Sequence, residues 1–367
     1  MEQEPQVIAL LGLGTIGLSF CALHLLHSHP STVVRVHDPR PDLLEHVRAN
    51  LPVYLRTLHD QQQQHANGTT AADDDAGSQE PPSVDSLLRS GKLTLCPTLE
   101  SACAGEGPAA AVVPATIIQE QGPENLAFKR GLWAAVAAHA SPSAHLWSST
   151  SGIFASLQTQ SSSPPGPPSA SSPAASAAAA TTENDIATRL LVVHPFNPPH
   201  ILPLLEIVPS PQTSPAAVSF AKAYFSSLGS GHRPVVLSKE TTGFVGNRLA
   251  FALLREAAHL VSEGVVSTAD LDAIVESGMG PRWAVAGPFR TYHLGGGKGG
   301  IAAFLDNLGG TIGSCWDDAG AVRVDDEGTW KAEVVRQTEE AYGPVDEHVL
   351  AKRDADLIKV VQAQPKK

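Results

Sequence analysis

Cysteine is scarce in this chain of 367 residues: Cys21, Cys96, Cys103 and Cys315 lie far apart, and no two form a CxxC pair. That argues against a disulfide framework and a structural zinc site, and it fits a reducing compartment. Basic side chains are also short in number, 25 Lys and Arg against 37 Asp and Glu, for a net charge of −12. Without a Lys/Arg cluster the chain lacks the electrostatic footprint of a nucleic-acid or anionic-membrane binder, so small molecules are the expected partners. Long apolar runs are missing as well, with one exception over residues 7–26, and three glycines interrupt it. The flank before it, Met1 to Gln6, is acidic where a signal peptide or mitochondrial presequence is basic, and the final Gln364-Pro365-Lys366-Lys367 is no peroxisomal tripeptide. A cytoplasmic protein that does not span a membrane is expected.

What is present is ample apolar material, 42% hydrophobic against 17% charged, enough for two domains of about 100–200 residues each. Two segments have the composition of disordered insertions. Residues 61–82 combine a glutamine run with Asp73-Asp74-Asp75 and Pro81-Pro82, and residues 161–182 are almost wholly Ser, Pro and Ala. Between and around them, short apolar strands alternate with helical stretches as far as Pro209. Strands are predicted at residues 7–11, 32–36, 93–95, 110–113, 145–147, 189–193 and 204–208, with a helix over 16–27 that completes a first βαβ unit. The remainder is helix-rich: residues 243–263 have apolar side chains at helical spacing, and Ser267 to Asp270 fit a capping box for the next helix. The expected architecture is a dinucleotide-binding domain over 1–209 and a helical domain over 235–367.

Gly12-Leu13-Gly14-Thr15-Ile16-Gly17 follows the first strand and opens the first helix. Glycines in that pattern permit a tight turn, close approach of backbone to a pyrophosphate and close packing of helix on strand. Asp38 ends the second strand, 21 residues past Gly17, where an acid hydrogen-bonds ribose hydroxyls and repels the extra phosphate of NADP. NAD is the expected cofactor. Arg40 leaves an NADP phosphate contact open, and an Asp before Pro39 also suits a plain turn.

The stretch from Leu190 to Val208 holds one ionisable residue in each of two apolar runs, His194 closing the first and Glu206 inside the second. The loop between them is too short for a helical crossover, so the second strand should return antiparallel and bring Glu206 to His194. A carboxylate on one ring nitrogen fixes the tautomer and leaves the other nitrogen to take a proton from a substrate hydroxyl. The competing reading is a satisfied core histidine and a solvated glutamate, which leaves an acid without purpose in an apolar run. His200 nearby suggests metal, but two histidines in a proline-rich loop without further acids make a poor site, and no metal is expected.

Together, His194-Pro195-Phe196-Asn197-Pro198-Pro199, Glu206 twelve residues after the histidine, and the run from Lys239 to Leu249 resemble the 3-hydroxyacyl-CoA dehydrogenase family. The residues from Val261 to Asp272 and from Gly278 to Ala284 are most similar to its L-gulonate 3-dehydrogenase, or lambda-crystallin, branch. The resemblance covers about residues 6–310 apart from the insertions. It implies a Rossmann-type, doubly wound and mostly parallel sheet followed by a smaller all-α domain that carries a homodimer contact. It also implies a catalytic pair at His194 and Glu206, with Asn247 and Ser151 on the substrate oxygen. Cofactor contacts are implied at Gly12, Gly14, Thr15, Ile16, Gly17, Asp38, Glu124 and Lys129. Without the family, the last two read as a solvated helix face. The expected activity is NAD-dependent oxidation of a 3-hydroxy acid, with gulonate first and carnitine or a 3-hydroxyacyl-CoA as alternatives. Arg282 is a candidate partner for the substrate carboxylate, or a structural ion pair. A non-catalytic, NADH-binding crystallin-like protein is the rival from another class.

Overall fold

The computed structural model describes residues 4–67, 80–105, 113–160, 185–324 and 330–364, with backbone alone at 64–67. Two compact units meet at Val245 and Gly246. In the first unit β1 (Val7–Leu11), α1 (Thr15–His27) and β2 (Val33–His37) form the βαβ start. They continue into β3 (Leu93–Leu95), β4 (Ile117–Glu120), β5 (His145–Ser148), β6 (Leu190–Pro195), β7 (Leu204–Pro209) and β8 (Arg233–Val236). The eight strands lie in the order β3-β2-β1-β4-β5-β6-β7-β8, all neighbours parallel except β6 with β7. The chain first builds outward from β1 to β3, then restarts at β4 on the other side of β1. The turn after β1 therefore lies where the strand order reverses, the place such sheets bind ligands.

Alternation along the strands supplies two cores. Ile8 and Leu10 of β1 join α1 and the Pro215–Ser227 helix in one apolar layer, while Ala9 and Leu11 face a second layer with Trp133, Leu146 and Val192. A parallel sheet covered on both faces needs this two-sided hydrophobicity. Residues Gly17 to His24 of α1 are all buried, which explains why 7–26 reads as one apolar run.

Several sequence expectations shift. The strand expected at 110–113 is β4, at Ile117–Glu120; residues 110–112 lie outside the described ones. Its polar end, Gln119 and Glu120, masked it. The helix α2 (Leu43–Asn67) runs on through the glutamine run, so residues 61–67 are helical, while 68–79 and all of 161–182 lie outside the described residues. His194 does not close β6, because Pro195 still pairs with Leu205. The reason is direction: Phe196 N–H points to Leu204 O on β7, so the nitrogen of Pro195 faces the other side, where pairing to β5 has ended at Val192. The sheet also continues beyond Pro209, through the Pro215–Ser227 helix into β8.

In the second unit every regular element among the described residues is helical. Its first helix, Gly246–Ser262, starts three residues later than the apolar spacing predicts, because Gly243 and Phe244 both have positive φ. Ser267 caps the Thr268–Ile274 helix by accepting from Asp270 N–H. No helix of the described residues is long and apolar enough to cross a membrane.

Candidate active site

Between β1 and α1 the chain reverses over Gly12, Leu13 and Gly14. Gly12 sits at φ +98°, and a side chain there would press on the Gln121 backbone at 3.1 Å. A Cβ on Gly17 would stand 2.2 Å from the Gly12 carbonyl oxygen, so α1 packs this close only because the position is bare. Gly14 differs. Nothing lies within 4 Å of where its Cβ would be, and it caps α1 without a side-chain bond. Open space before a helix N-terminus, with no acid in the first turn, suits a diphosphate, and Thr15 and Ile16 form that turn.

Asp38 directly follows β2. Its Oδ2 accepts from Leu13 N–H at 2.7 Å, and its Oδ1 accepts from Arg40 N–H and Nε at 3.0 and 3.1 Å. Burial raises this carboxyl, but the hydrogen bonds from Leu13 and Arg40 outweigh it and hold Asp38 below its ordinary value. The arginine that left NADP open is thus turned onto the acid.

Lys129 is not on a solvated face. It is 1% exposed, and its Nζ donates to both oxygens of Glu120 at 2.7 and 2.9 Å. Glu120 also accepts from Gly122 N–H and Ser148 Oγ. Glu124 stands 3.9 Å from Lys129 and clamps the loop after β5: its Oε1 accepts from Thr150 Oγ1 and from the N–H groups of Ser151 and Gly152. Ser151 is exposed in that loop.

His194 and Glu206 are direct partners across the antiparallel β6/β7 ladder, so both side chains leave the same face. His194 Nδ1 lies 2.8 Å from Glu206 Oε2, and each residue is only 2% exposed. The other carboxylate oxygen accepts from Val245 N–H at 3.0 Å. Phe196 and Phe244 wall the imidazole at ring distances of 5.7 and 5.2 Å. With Nδ1–H given to the carboxylate, the neutral ring keeps a lone pair on Nε2, the arrangement of a general base. His200 serves elsewhere, its Nδ1 3.0 Å from Ser19 Oγ and its ring edge-on to Tyr54. Asn247 lies in the first turn of the Gly246–Ser262 helix, two residues past Val245, and Arg282 is exposed on the short Gly280–Val285 helix.

The structure thus joins His194 to Glu206, Asp38 to the glycine turn, and Glu124 to the Ser151 loop. Sequence reasoning missed Glu120, Gln119 and the backbone of Val245. A polar Gln-Glu end on an otherwise apolar Ile117-Ile118 run was the available signal for the first two.

The NAD binding domain of the 3-hydroxyacyl-CoA dehydrogenase family matches residues 95–165 and 169–241, and the family's C-terminal domain matches residues 243–316. The glycine turn precedes the matched stretch, so its placement comes from the structure. A 3-hydroxyacyl-CoA dehydrogenase of Gibberella moniliformis is 37% identical over 261 residues, 70% of this chain and 74% of that protein. An L-carnitine dehydrogenase of Streptomyces griseus subsp. griseus is 32% identical over 362 residues, 98% and 90% of the two chains. Among solved structures, 5-formyl-3-hydroxy-2-methylpyridine 4-carboxylic acid 5-dehydrogenase superposes with a TM-score of 0.67 at 23% identity, covering 99% of this chain and 100% of the other, a likeness of fold. The relatives carry carnitine and acyl-CoA names where the motifs pointed to the gulonate branch. The chain belongs to the 3-hydroxyacyl-CoA dehydrogenase family of NAD-dependent dehydrogenases.

Proposed function

We propose that the protein oxidises the C3 hydroxyl of a 3-hydroxy acid and that this acid is carnitine. The observation that carries the reaction is the buried His194–Glu206 pair on facing strands. NAD held at the glycine turn would supply the hydride acceptor for C3. His194 Nε2 takes the hydroxyl proton, Glu206 orients the ring and balances the charge it gains, and Val245 N–H holds Glu206 in place. Ser151 and Asn247 hydrogen-bond the C3 oxygen as it turns from hydroxyl to carbonyl. Gly12, Gly14, Thr15, Ile16 and Gly17 would hold the diphosphate of NAD and Asp38 its ribose, with Glu124 and Lys129 as further cofactor contacts. Arg282 is assigned to the substrate carboxylate.

Carnitine is preferred to gulonate because carnitine dehydrogenases match nearly the full length of the chain. Gulonate stays as the second reading on the strength of the motifs between Val261 and Ala284. A homodimer fits the many apolar side chains that the helical unit leaves at its surface, among them Leu249, Phe251, Phe289 and Trp316 at 60, 60, 80 and 77% exposure. A cytoplasmic site of action fits the lack of disulfides among the described residues. The test is NADH formation with L-carnitine, L-gulonate and 3-hydroxybutyryl-CoA side by side: carnitine should give the highest kcat/KM. A preference for either other substrate overturns the assignment, and tight NADH binding with no turnover on any of them supports the crystallin-like rival.

A further inference from the structure

One core layer contains a line of polar groups that the proposed chemistry does not use. Tyr224 on the Pro215–Ser227 helix, His24 on α1 and Gln119 on β4 are all buried, Gln119 completely. Ser28 Oγ lies 2.7 Å from Tyr224 Oη, and Tyr224 Oη lies 2.7 Å from His24 Nδ1. His24 Nε2 lies 3.0 Å from Gln119 Oε1, and Gln119 Nε2 donates to Ser149 Oγ at 3.2 Å. Ser149 is the first residue after β5 and stands two before Ser151.

Each bond fixes the direction of the next. Because the Gln119 amide nitrogen is turned to Ser149, its oxygen faces His24 and can only accept. The hydrogen of His24 must then sit on Nε2, which leaves Nδ1 to accept from the Tyr224 hydroxyl, and the Tyr224 oxygen to accept from Ser28. Burial pushes His24 down to about 4, despite the Gln119 bond that opposes it, so the ring stays neutral with one donor and one acceptor. Hydrocarbon of the same shape would fill this space without desolvating four polar groups, so packing does not explain the choice. What the line does add is a fixed place for the amide at its inner end, hydrogen-bonded to His24 on one side and Ser149 on the other.

We propose that Gln119 and His24 are positioning residues for the substrate loop: the Ser28–Tyr224–His24–Gln119 line aims the Gln119 amide so that it holds Ser149, and thereby Ser151, in place. The same loop is held from the other flank by Glu124 across Thr150, Ser151 and Gly152. The loop is tied on both sides, once from the core and once from the surface. This inference rests on the reading of Ser151 as a substrate contact.

Gln119→Met preserves length and packing while removing the amide, and Ser149→Ala removes the acceptor without touching the core. Each should lower kcat for L-carnitine about 10-fold, leave NADH affinity within about 2-fold, and raise hydrogen exchange in the peptide spanning residues 147–154. Because both break the same bond, the double variant should be no slower than either single one. Gln119→Glu, whose carboxylate accepts from His24 and from the Ser149 hydroxyl, should recover most of the rate and the protection. Val47→Ala, a cavity in α2, should lower stability without either effect. Additive losses, unchanged exchange in Gln119→Met and Ser149→Ala, or the same increase in Val47→Ala would overturn the proposal. The exchange measurement needs no substrate, so it decides the matter even if L-carnitine proves not to be turned over.

Discussion

Two carboxylates buried in the same sheet, Glu120 and Glu206, each hold a basic side chain, and the two pairs differ in what they leave undone. In Lys129–Glu120 each carboxylate oxygen has two donors: Oε1 takes Lys129 and Gly122, and Oε2 takes Lys129 and Ser148. The pair is closed. In His194–Glu206 the carboxylate is also fully engaged, by the ring and by Val245 N–H, but the histidine carries a second nitrogen that the pair does not require. Burial and close geometry are common to both, so neither property marks a site of chemistry. The difference lies in whether the pair, once satisfied, retains a lone pair that can take a proton: His194 keeps one on Nε2, and the Lys129 ammonium has none.

The largest break in that comparison is His194→Gln. An amide can still donate to Glu206 but cannot take a proton, so kcat should fall by about 10³-fold or more, with NADH affinity and urea midpoint near wild type. Full activity in this variant would remove the histidine from the mechanism. Lys129→Met tests the other pair through stability. Leaving Glu120 buried and unpaired should cost about 3–5 kcal/mol of stability, seen in urea unfolding, and adding Glu120→Gln should return part of it. A Lys129→Met protein as stable as wild type would mean that the pair is not the closed structural unit described.

A smaller effect sharpens the comparison by asking what buried histidines do without a carboxylate. His24 and His232 are held at about 4, burial being the main cause, against 6.5 for an ordinary histidine. His232 is fixed instead by Ser230 Oγ and the Pro199 carbonyl. Between those pH values the unfolded chain binds more protons than the folded one, so stability should be full above pH 6.5 and decline as pH falls toward 4. At one pH unit below the ordinary value each contributes a loss of about 1.4 kcal/mol. Urea midpoints across this range check it, and His232→Asn should flatten the profile; an unchanged slope would show that His232 titrates normally.

How much of this was legible in the sequence depends on whether the signal was local. The glycine turn, Asp38 and the antiparallel return that sets Glu206 against His194 were legible because strand polarity, loop length and side-chain alternation dictate them within a few residues. β4 was not, since Gln119 and Glu120 break its apolar pattern and their partners, His24, Lys129 and Ser148, come from elsewhere in the chain. β8 was hidden by its Arg-Pro start, and the first run was expected to close at His194 because which way the nitrogen of Pro195 faces is a property of the ladder, not of the residue. The role of Val245 was out of reach for the same reason: a backbone N–H has no letter in the sequence.

The two ends of the sheet bear on misassembly. β3 offers only three residues to a stray strand. On β8, Arg233 N–H points inward to Pro203 O, and parallel alternation turns the nitrogen of Pro234 outward, where it has no hydrogen to give. With so few donors along either rim, a ninth strand from another molecule finds little to register against, which protects a chain rich in valine and isoleucine strands from edge-to-edge aggregation.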